Sequence, residues 1–209
     1  QKSIRGAIDA GANLLVVHHG LFWGGLQPLT GSHLERVRLL LEHDVALYAV
    51  HLPLDAHETM GNSFLLAGEL GLTPNGGFAR FQNIFCGVQG IADVATADLV
   101  TKCNAFSRSH GGQAVASTLA PTRRTYRWAV VTGAGVNANT MREAADMGID
   151  TFITGEGPHW SAVDAEEKEL VIVYAGHYAT ETPGVSALVR WMGARVGVPW
   201  SFVEAPTGL

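Results

Sequence analysis

A repeat along the chain is the feature that most restricts how this sequence can fold. The segment AIDAGANLLVVHHGLFW (residues 7–23) aligns without a gap on AADMGIDTFITGEGPHW (residues 144–160). Five of the seventeen aligned pairs are identical, where average amino-acid usage predicts about one by chance. Further along, the segment that begins at Ala46 aligns with the one that begins at Ile172. The sequence therefore consists of two halves with the same order of features.

Two explanations of the repeat are open. Two helix–strand units would each need a glycine after the helix, which accounts for the matched Gly11 and Gly148. That explanation does not cover the matched Trp23 and Trp160, nor a His-x-x-x-acid pattern that occurs in both halves. We interpret the repeat as an ancient duplication.

Short apolar runs alternate with amphipathic helical patterns along almost the whole chain. The predicted strands cover residues 13–17, 45–50, 83–89, 126–131, 151–153 and 170–174. Continuous apolar strands between amphipathic helices indicate an α/β fold, with mainly parallel or mixed sheets covered by helices. We divide the chain into a first α/β half (1–75), a middle segment (76–124) with a surface connection at 107–117, and a second α/β half (125–209).

The composition excludes several classes of protein. Apolar residues make up 47% of the 209 residues, enough for a core, and the net charge of −5 argues against binding to nucleic acid or anionic membranes. No apolar run reaches the roughly 20 residues that span a bilayer, and no signal peptide is visible. Cys86 and Cys103 form no C-x-x-C pair, so we expect free thiols in a reducing cytoplasm. Nine histidines against three lysines suggest a use for imidazole.

His18 and His19 follow the first predicted strand directly and precede Gly20. Ligands of open α/β sheets gather at the carboxyl ends of strands, and a glycine there allows a tight turn that brings both imidazoles together. Alternatively, the two side chains face opposite ways, as neighbours on a strand do, with one buried and one in solvent. Adjacent histidines suit two neighbouring ions better than one.

His177 and Glu181 stand at the end of the last predicted strand, just before a helix that Pro183 can open. The pair suits a metal site, although Glu181 can also be a carboxylate that the helix dipole favours. In the first half, His51 and Asp55 have the same spacing. Because Pro53 lies between them, we expect a loop there rather than a helical turn, and Asp55 can also be a plain helix cap.

Together the three strand ends supply imidazoles and carboxylates at one predicted edge of a sheet. Such a donor set, without thiolate, suits Zn, Mn, Fe, Co or Ni rather than a structural zinc site of the cysteine type. Two ions roughly 3.5–4 Å apart, bridged by a carboxylate, are the usual hydrolytic arrangement. Glu181, the longer acid, is the natural bridge.

The motifs LVVHHGLFW, LYAVHLPLDAH, TFITGEGPHW and AGHYATE resemble the Nif-three-like family (NGG-one-interacting factor three), whose members are often called GTP cyclohydrolase I type 2 homologues. The resemblance covers residues 7–203. It implies two related, interlocked α/β halves, two divalent metal ions and a toroidal homohexamer. Carried over by position, the implied metal ligands are His18, His19, Asp55, His177 and Glu181, with Glu181 bridging and His51 beside them. Family members usually begin with another helix and strand that carry an Asn-Gly-Leu-Gln-like run, which this sequence lacks.

Further residues near these motifs are candidates for catalysis. Glu156 occupies the place of His19 in the repeat, and either Glu156 or His159 could act as general acid or base on a water molecule. His159 could equally be a helix cap. For the aromatic residues Phe22, Trp23 and Trp160 we expect packing between helices and sheet, with stacking on a planar heterocycle as the alternative.

Two functions from different classes fit these residues. The first is a metal-dependent hydrolase of a small molecule. Since the chain has no G-x-x-x-x-G-K loop and few basic residues near the motifs to hold a triphosphate, a phosphoester or a ring amide suits the centre better than GTP. The second is a non-catalytic metal-binding or adaptor protein in metal trafficking or protein interaction. Open coordination positions beside acid and base groups would distinguish the enzyme.

Overall fold

A computed structural model describes residues 1–208 of the chain. The helices are α1 (Lys2–Asp9), α2 (Gly31–Glu42), α3 (Leu52–Asp55), α4 (Asn62–Glu69), α5 (Thr96–Ser109), α6 (Ala138–Asp146), α7 (Trp160–Glu167), α8 (His177–Thr180) and α9 (Thr182–Val196). The strands are β1 (Leu14–Val17), β2 (Ala46–Ala49), β3 (Gly76–Phe81), β4 (Ile84–Ala95), β5 (Val115–Ala116), β6 (Arg124–Val131), β7 (Thr151–Thr154) and β8 (Val171–Tyr174). Over residues 1–208, no helix has both the length and the apolar character to cross a lipid bilayer.

One compact unit contains Gln1–Leu54 and Val185–Ala205. Its β1 and β2 pair in parallel, with Leu14 opposite Ala46. A two-stranded parallel sheet is too small to be stable alone, so its apolar side chains need cover from helices. The resulting core joins residues of α1, β1 and α2 with the residue that precedes β2: Ile4, Ala7, Leu15, Leu39, Leu40 and Val45.

The other compact unit contains Asp55–Gly184 and the C-terminal residues from Pro206. Its six strands form one mixed sheet in the order β3-β4-β6-β7-β8-β5. The three central strands, β6, β7 and β8, are parallel neighbours, and the other pairings are antiparallel. Parallel neighbours end at the same edge, which places the residues after β6, β7 and β8 side by side.

The sheet of the second unit is buried on both faces. In β6, Trp128 and Val130 belong to one apolar cluster, and the intervening Ala129 and Val131 belong to another. Because side chains alternate along a strand, this division means that helices cover both faces. The prediction of an α/β fold with mixed sheets covered by helices is confirmed.

The two repeated segments have the same local structure. Gly11 after α1 and Gly148 after α6 both have left-handed backbones, with φ of 66° and 64°. In each case the next residue closes the helix by donating its N–H to a carbonyl five residues earlier, Ala12 to Ala7 and Ile149 to Ala144. β1 and β7 then begin three residues after each glycine and are four residues long.

The middle of the chain differs from the predicted elements. β3 was not predicted, because its glycines and Arg80 break the apolar pattern. α5 runs on to Ser109 into the predicted surface connection, and the buried Ser107 hydroxyl lies within hydrogen-bond distance of the carbonyls of Cys103 and Ala175, at 2.8 and 2.7 Å. The loop expected at Pro53 is also wrong. Pro53 lies in the first turn of the short helix α3, where a missing N–H costs nothing.

Candidate metal centre

Three histidines of the first unit form a cluster where its two strands end. His18 and His19 follow β1, and His51 comes shortly after β2. The three ring centroids lie 4.7–4.8 Å apart. One nitrogen of each ring lies within 4.8 Å of the corresponding nitrogens of the other two. Three imidazoles at this separation can ligate one divalent ion between them.

The alternation expected for neighbours on a strand does not apply to His18 and His19. β1 ends at Val17, so the two histidines stand on a bend and their rings converge, with His18 buried and His19 half-buried. Gly20 permits the bend, because a Cβ at this position would come within 2.9 Å of the Ala49 Cβ on β2. The reading of one buried and one solvated histidine is therefore wrong.

His51 stands with these two histidines as a candidate donor. One of its ring nitrogens lies within 4.8 Å of a ring nitrogen of His18 and of His19, although the family resemblance implied a place only beside the ligands. The repeat already contained the signal, since it pairs His51 with His177, an expected ligand.

A second cluster lies in the second unit, where β7 and β8 end. His177 begins the one-turn helix α8, and Glu181 follows that helix. Nε2 of the His177 ring lies 3.1 Å from Oε2 of Glu181 and Nδ1 lies 3.0 Å from Oε1 of Glu156, so the protonated ring can donate to both carboxylates. The bond to Glu181, helped by the one to Glu156, raises the pKa of His177 from 6.5 to about 9, against the lowering effect of burial.

Close backbone contacts hold this second cluster. Gly133, Gly155 and Gly176 each lie just beyond one of the parallel strands β6, β7 and β8. Glu156 N–H donates to the Gly133 carbonyl (2.9 Å), and Gly133 N–H donates to the Thr180 hydroxyl (3.0 Å). Gly133 has a φ of 62°, and a Cβ there would overlap the Glu181 carboxylate. Sequence reasoning missed the roles of Gly133 and Thr180, which no local motif reveals.

Asp55 is held by an asparagine that sequence reasoning also missed. The fully buried Asn62 donates from Nδ2 to Oδ1 of Asp55 (2.9 Å) and accepts the N–H of Gly184 (2.7 Å). Both the nitrogen and the oxygen of this buried amide form hydrogen bonds, so the side chain has little freedom to turn and fixes the orientation of the Asp55 carboxylate. No local motif reveals this role, because Asp55 lies seven residues earlier on another helix and Gly184 lies 122 residues later.

His159 and the aromatic residues lie in different surroundings. His159 stands just before α7, without a capping hydrogen bond from its side chain, and with Trp160 it lines an open groove of about 640 Å³ between α6 and α7. Trp23 is 71% exposed and lies against His19, with 5.3 Å between ring centroids. Phe22 and Trp160 are also exposed, so the predicted packing of these three side chains between helices and sheet is wrong.

The chemistry of the donors fits a divalent ion. Both clusters offer imidazole nitrogen or carboxylate oxygen, the donor types of Zn, Mn, Fe, Co and Ni. Both cysteines are free thiols, as expected. Burial raises the pKa of the Cys103 thiol to about 12, which makes it a poor ligand. The structure thus supports donors in each unit separately, and the assignment of five ligands to a shared pair of ions stays a prediction.

The family of this chain follows from comparison with known proteins. The model of the Duf34/NIF3 (NGG1p interacting factor 3) family matches residues 1–206. The chain belongs to this family. Relatives called "GTP cyclohydrolase 1 type 2 homolog" include one from Deinococcus radiodurans, 38% identical over 100% of this chain and 78% of its own. Another, from Halobacterium salinarum, is 40% identical over 99% of this chain and 81% of its own.

Solved structures of similar proteins share the fold. Protein ybgI, described as of unknown function, superimposes with a TM-score of 0.86 at 32% identity, over 99% of this chain and 81% of its own. TTHA1606 from Thermus thermophilus gives a TM-score of 0.77 at 34% identity, over 100% of this chain and 81% of its own. The predicted membership of the family is therefore confirmed.

Proposed function

We propose that this protein binds two divalent metal ions and hydrolyses a small molecule. The observation that carries the proposal is the cluster of His18, His19 and His51, because three imidazole nitrogens within 4.8 Å of one another can ligate one divalent ion. The name shared by the curated relatives supports a hydrolytic reaction.

The proposed donors are divided between neutral and charged groups. His18, His19 and His51 bring imidazole nitrogen without charge, while Asp55 and Glu181 bring the negative charge that offsets the ions. Asn62 orients Asp55, and α8 places His177 one turn from Glu181. Divalent ions held by such donors supply a Lewis acid and make a water nucleophile available near neutral pH.

The substrate class follows from what surrounds the donors. Trp23 presents an exposed aromatic face beside His19, which suits stacking on a planar heterocycle. Glu156, which contacts His177, is the candidate for moving a proton to or from the substrate, whereas His159 lines the groove between α6 and α7. A nucleotide, a phosphoester or a cyclic amide would fit these groups.

Metal analysis tests the first half of the proposal. Wild-type protein reconstituted with Mn, Fe or Zn should carry two ions per chain by mass spectrometry, and His51→Ala should carry fewer. His43→Ala is the matched control, since His43 is an exposed histidine at the end of α2 in the same unit. Wild-type protein that binds no ion after reconstitution would overturn the proposal.

An activity panel tests the second half. The three reconstituted forms are assayed against nucleotides, phosphoesters and cyclic amides, with the metal-free protein as blank. Turnover that requires the ion, and that falls in His51→Ala but not in His43→Ala, supports the hydrolase. Two bound ions with no turnover of any substrate would instead favour the metal-binding or adaptor function.

A further inference from the structure

Glu156 contacts the ring nitrogen of His177 that faces away from Glu181. The Nδ1–Glu156 distance is 3.0 Å, and the Nε2–Glu181 distance on the other side of the ring is 3.1 Å. The imidazole is thus held between two carboxylates that have different places in the chain, one after β7 and one after α8.

A histidine can give only one of its nitrogens to a metal ion. The other then carries a proton, and a carboxylate that accepts this proton fixes the tautomer and the orientation of the ring and makes the ligand nitrogen more basic. In this chain Nε2 is the nitrogen on the side of Glu181, the other proposed ligand. We infer that Glu156 is a positioning residue, which accepts the Nδ1–H of His177 and so directs Nε2 toward a metal ion.

The backbone of Glu156 is fixed well enough for this role. Its N–H donates to the carbonyl of Gly133 at 2.9 Å, and the carbonyl of the preceding Gly155 accepts the N–H of Gly176 at 2.9 Å. A Cβ at residue 155 would lie 2.6 Å from the Gly133 carbonyl oxygen, so the chain runs here in close contact with its neighbour. Three adjacent strand ends therefore hold the base of the Glu156 side chain in place.

This role differs from the acid–base role that the sequence suggested. The Glu156 side chain is 49% exposed, and exposed ion pairs contribute little to folding stability. Loss of a carboxylate behind a histidine ligand, in contrast, typically weakens metal binding about 10–100-fold. A positioning role therefore predicts a change in metal affinity with little change in the stability of the metal-free protein.

The experiment uses Co(II) and Zn(II) as probes on the full chain. Dissociation constants are measured by competition with a chromophoric chelator for wild type, Glu156→Ala, Glu156→Gln and Glu167→Ala. Glu167 is an exposed glutamate of α7 in the same unit and serves as the matched control. Thermal unfolding of each metal-free variant is recorded in parallel.

We expect Glu156→Ala to bind the ion that His177 ligates about 10–100-fold less tightly, with Glu167→Ala like wild type. Glu156→Gln keeps an oxygen that can accept the Nδ1–H, so it should recover part of the affinity. A second readout is the proton NMR spectrum of the Co(II) protein, where the ring N–H of a bound histidine is shifted and exchanges with solvent. One such signal should broaden in Glu156→Ala, because its proton has lost its acceptor.

The inference rests on the proposed metal binding, and the two fail differently. Wild-type affinity in Glu156→Ala, with all N–H signals unchanged, overturns the positioning role and leaves metal binding intact. If that variant also loses turnover, Glu156 acts on the substrate instead. If the wild-type protein binds no metal ion, both the proposed metal binding and the positioning role of Glu156 are overturned.

Discussion

Gly133 and Glu181 approach so closely that the Glu181 Oε1 atom occupies the place of a side chain on residue 133. The two residues are far apart in sequence, one after β6 and the other after α8. The absence of a side chain at Gly133 therefore creates the space in which a proposed metal ligand stands.

Replacing Gly133 by alanine should displace Glu181 and lower metal content. Gly148→Ala is the matched control, because Gly148 has nearly the same left-handed backbone and its Cβ would meet only Arg127 Cδ, at 3.9 Å. Both variants share a backbone cost of about 1–2 kcal/mol. Only Gly133→Ala should bind less Zn(II) in a chelator competition, and equal binding by the two variants would show that Glu181 is not a ligand.

Glu181→Gln should reduce metal content toward one ion or none, because an amide is a poor bridge and brings no charge. Asp55→Asn should weaken mainly the binding of the one ion that Asp55 ligates. The Glu181 side chain is only 12% exposed, so its replacement can also change the stability of the fold. The unfolding free energy of the metal-free proteins is therefore measured beside their metal content. If Glu181→Gln still binds two ions per chain, Glu181 is not a bridging ligand and serves only as a carboxylate at the start of a helix.

Asn62→Ala should both destabilise the protein and weaken the ion that Asp55 binds. The substitution leaves the N–H of Gly184 without its acceptor, at a cost of about 1–3 kcal/mol, and frees the Asp55 carboxylate to turn. Urea unfolding and metal titration measure the two effects. Asn139→Ala, at an exposed position in α6, should change neither; if Asn62→Ala also changes neither, the network has no such role.

The two thiols should react at different rates. Burial raises the pKa of both, to about 12 for Cys103, and the nearby charge of Asp55 adds to the rise at Cys86. In native Cys86→Ser the remaining Cys103 should stay unmodified by Ellman's reagent at pH 8, whereas wild type should react slowly at the half-buried Cys86. In denaturant, both thiols of the wild-type protein should react with the reagent. Rapid modification of native Cys86→Ser would contradict the burial of Cys103.

We also predict that the protein forms a homohexamer, on the basis of the family resemblance. Large apolar side chains are exposed in both units, among them Leu26 and Leu41 in the first and Ile91 in the second. Exposed apolar residues of this size often mark interfaces. Light scattering of the intact protein should give six subunits, and a monomer over a wide concentration range would rule the hexamer out.

Local patterns in the sequence were enough for much of the fold. The apolar runs that became β1, β7 and β8 were recognised because a buried strand needs consecutive apolar residues. The repeat predicted that Gly11 and Gly148 end their helices alike, since a left-handed residue after a helix favours glycine. The edge strand β3 was not predicted, because its glycines and Arg80 interrupt the apolar pattern. The helical turn at Pro53 was not predicted either, because proline breaks a helix interior but is tolerated in the first turn, where it lies here.

The sequence by itself determined which residues could bind metal, because imidazole and carboxylate side chains at strand ends are visible in the text of the chain. Tertiary structure alone decided how they are oriented. Glu156 behind His177 and Gly133 beside Glu181 are contacts between residues distant in sequence, and Asn62 behind Asp55 is held from its other side by the distant Gly184. The first two contacts arise when the parallel strands bring their ends together, and no spacing along the chain encodes them.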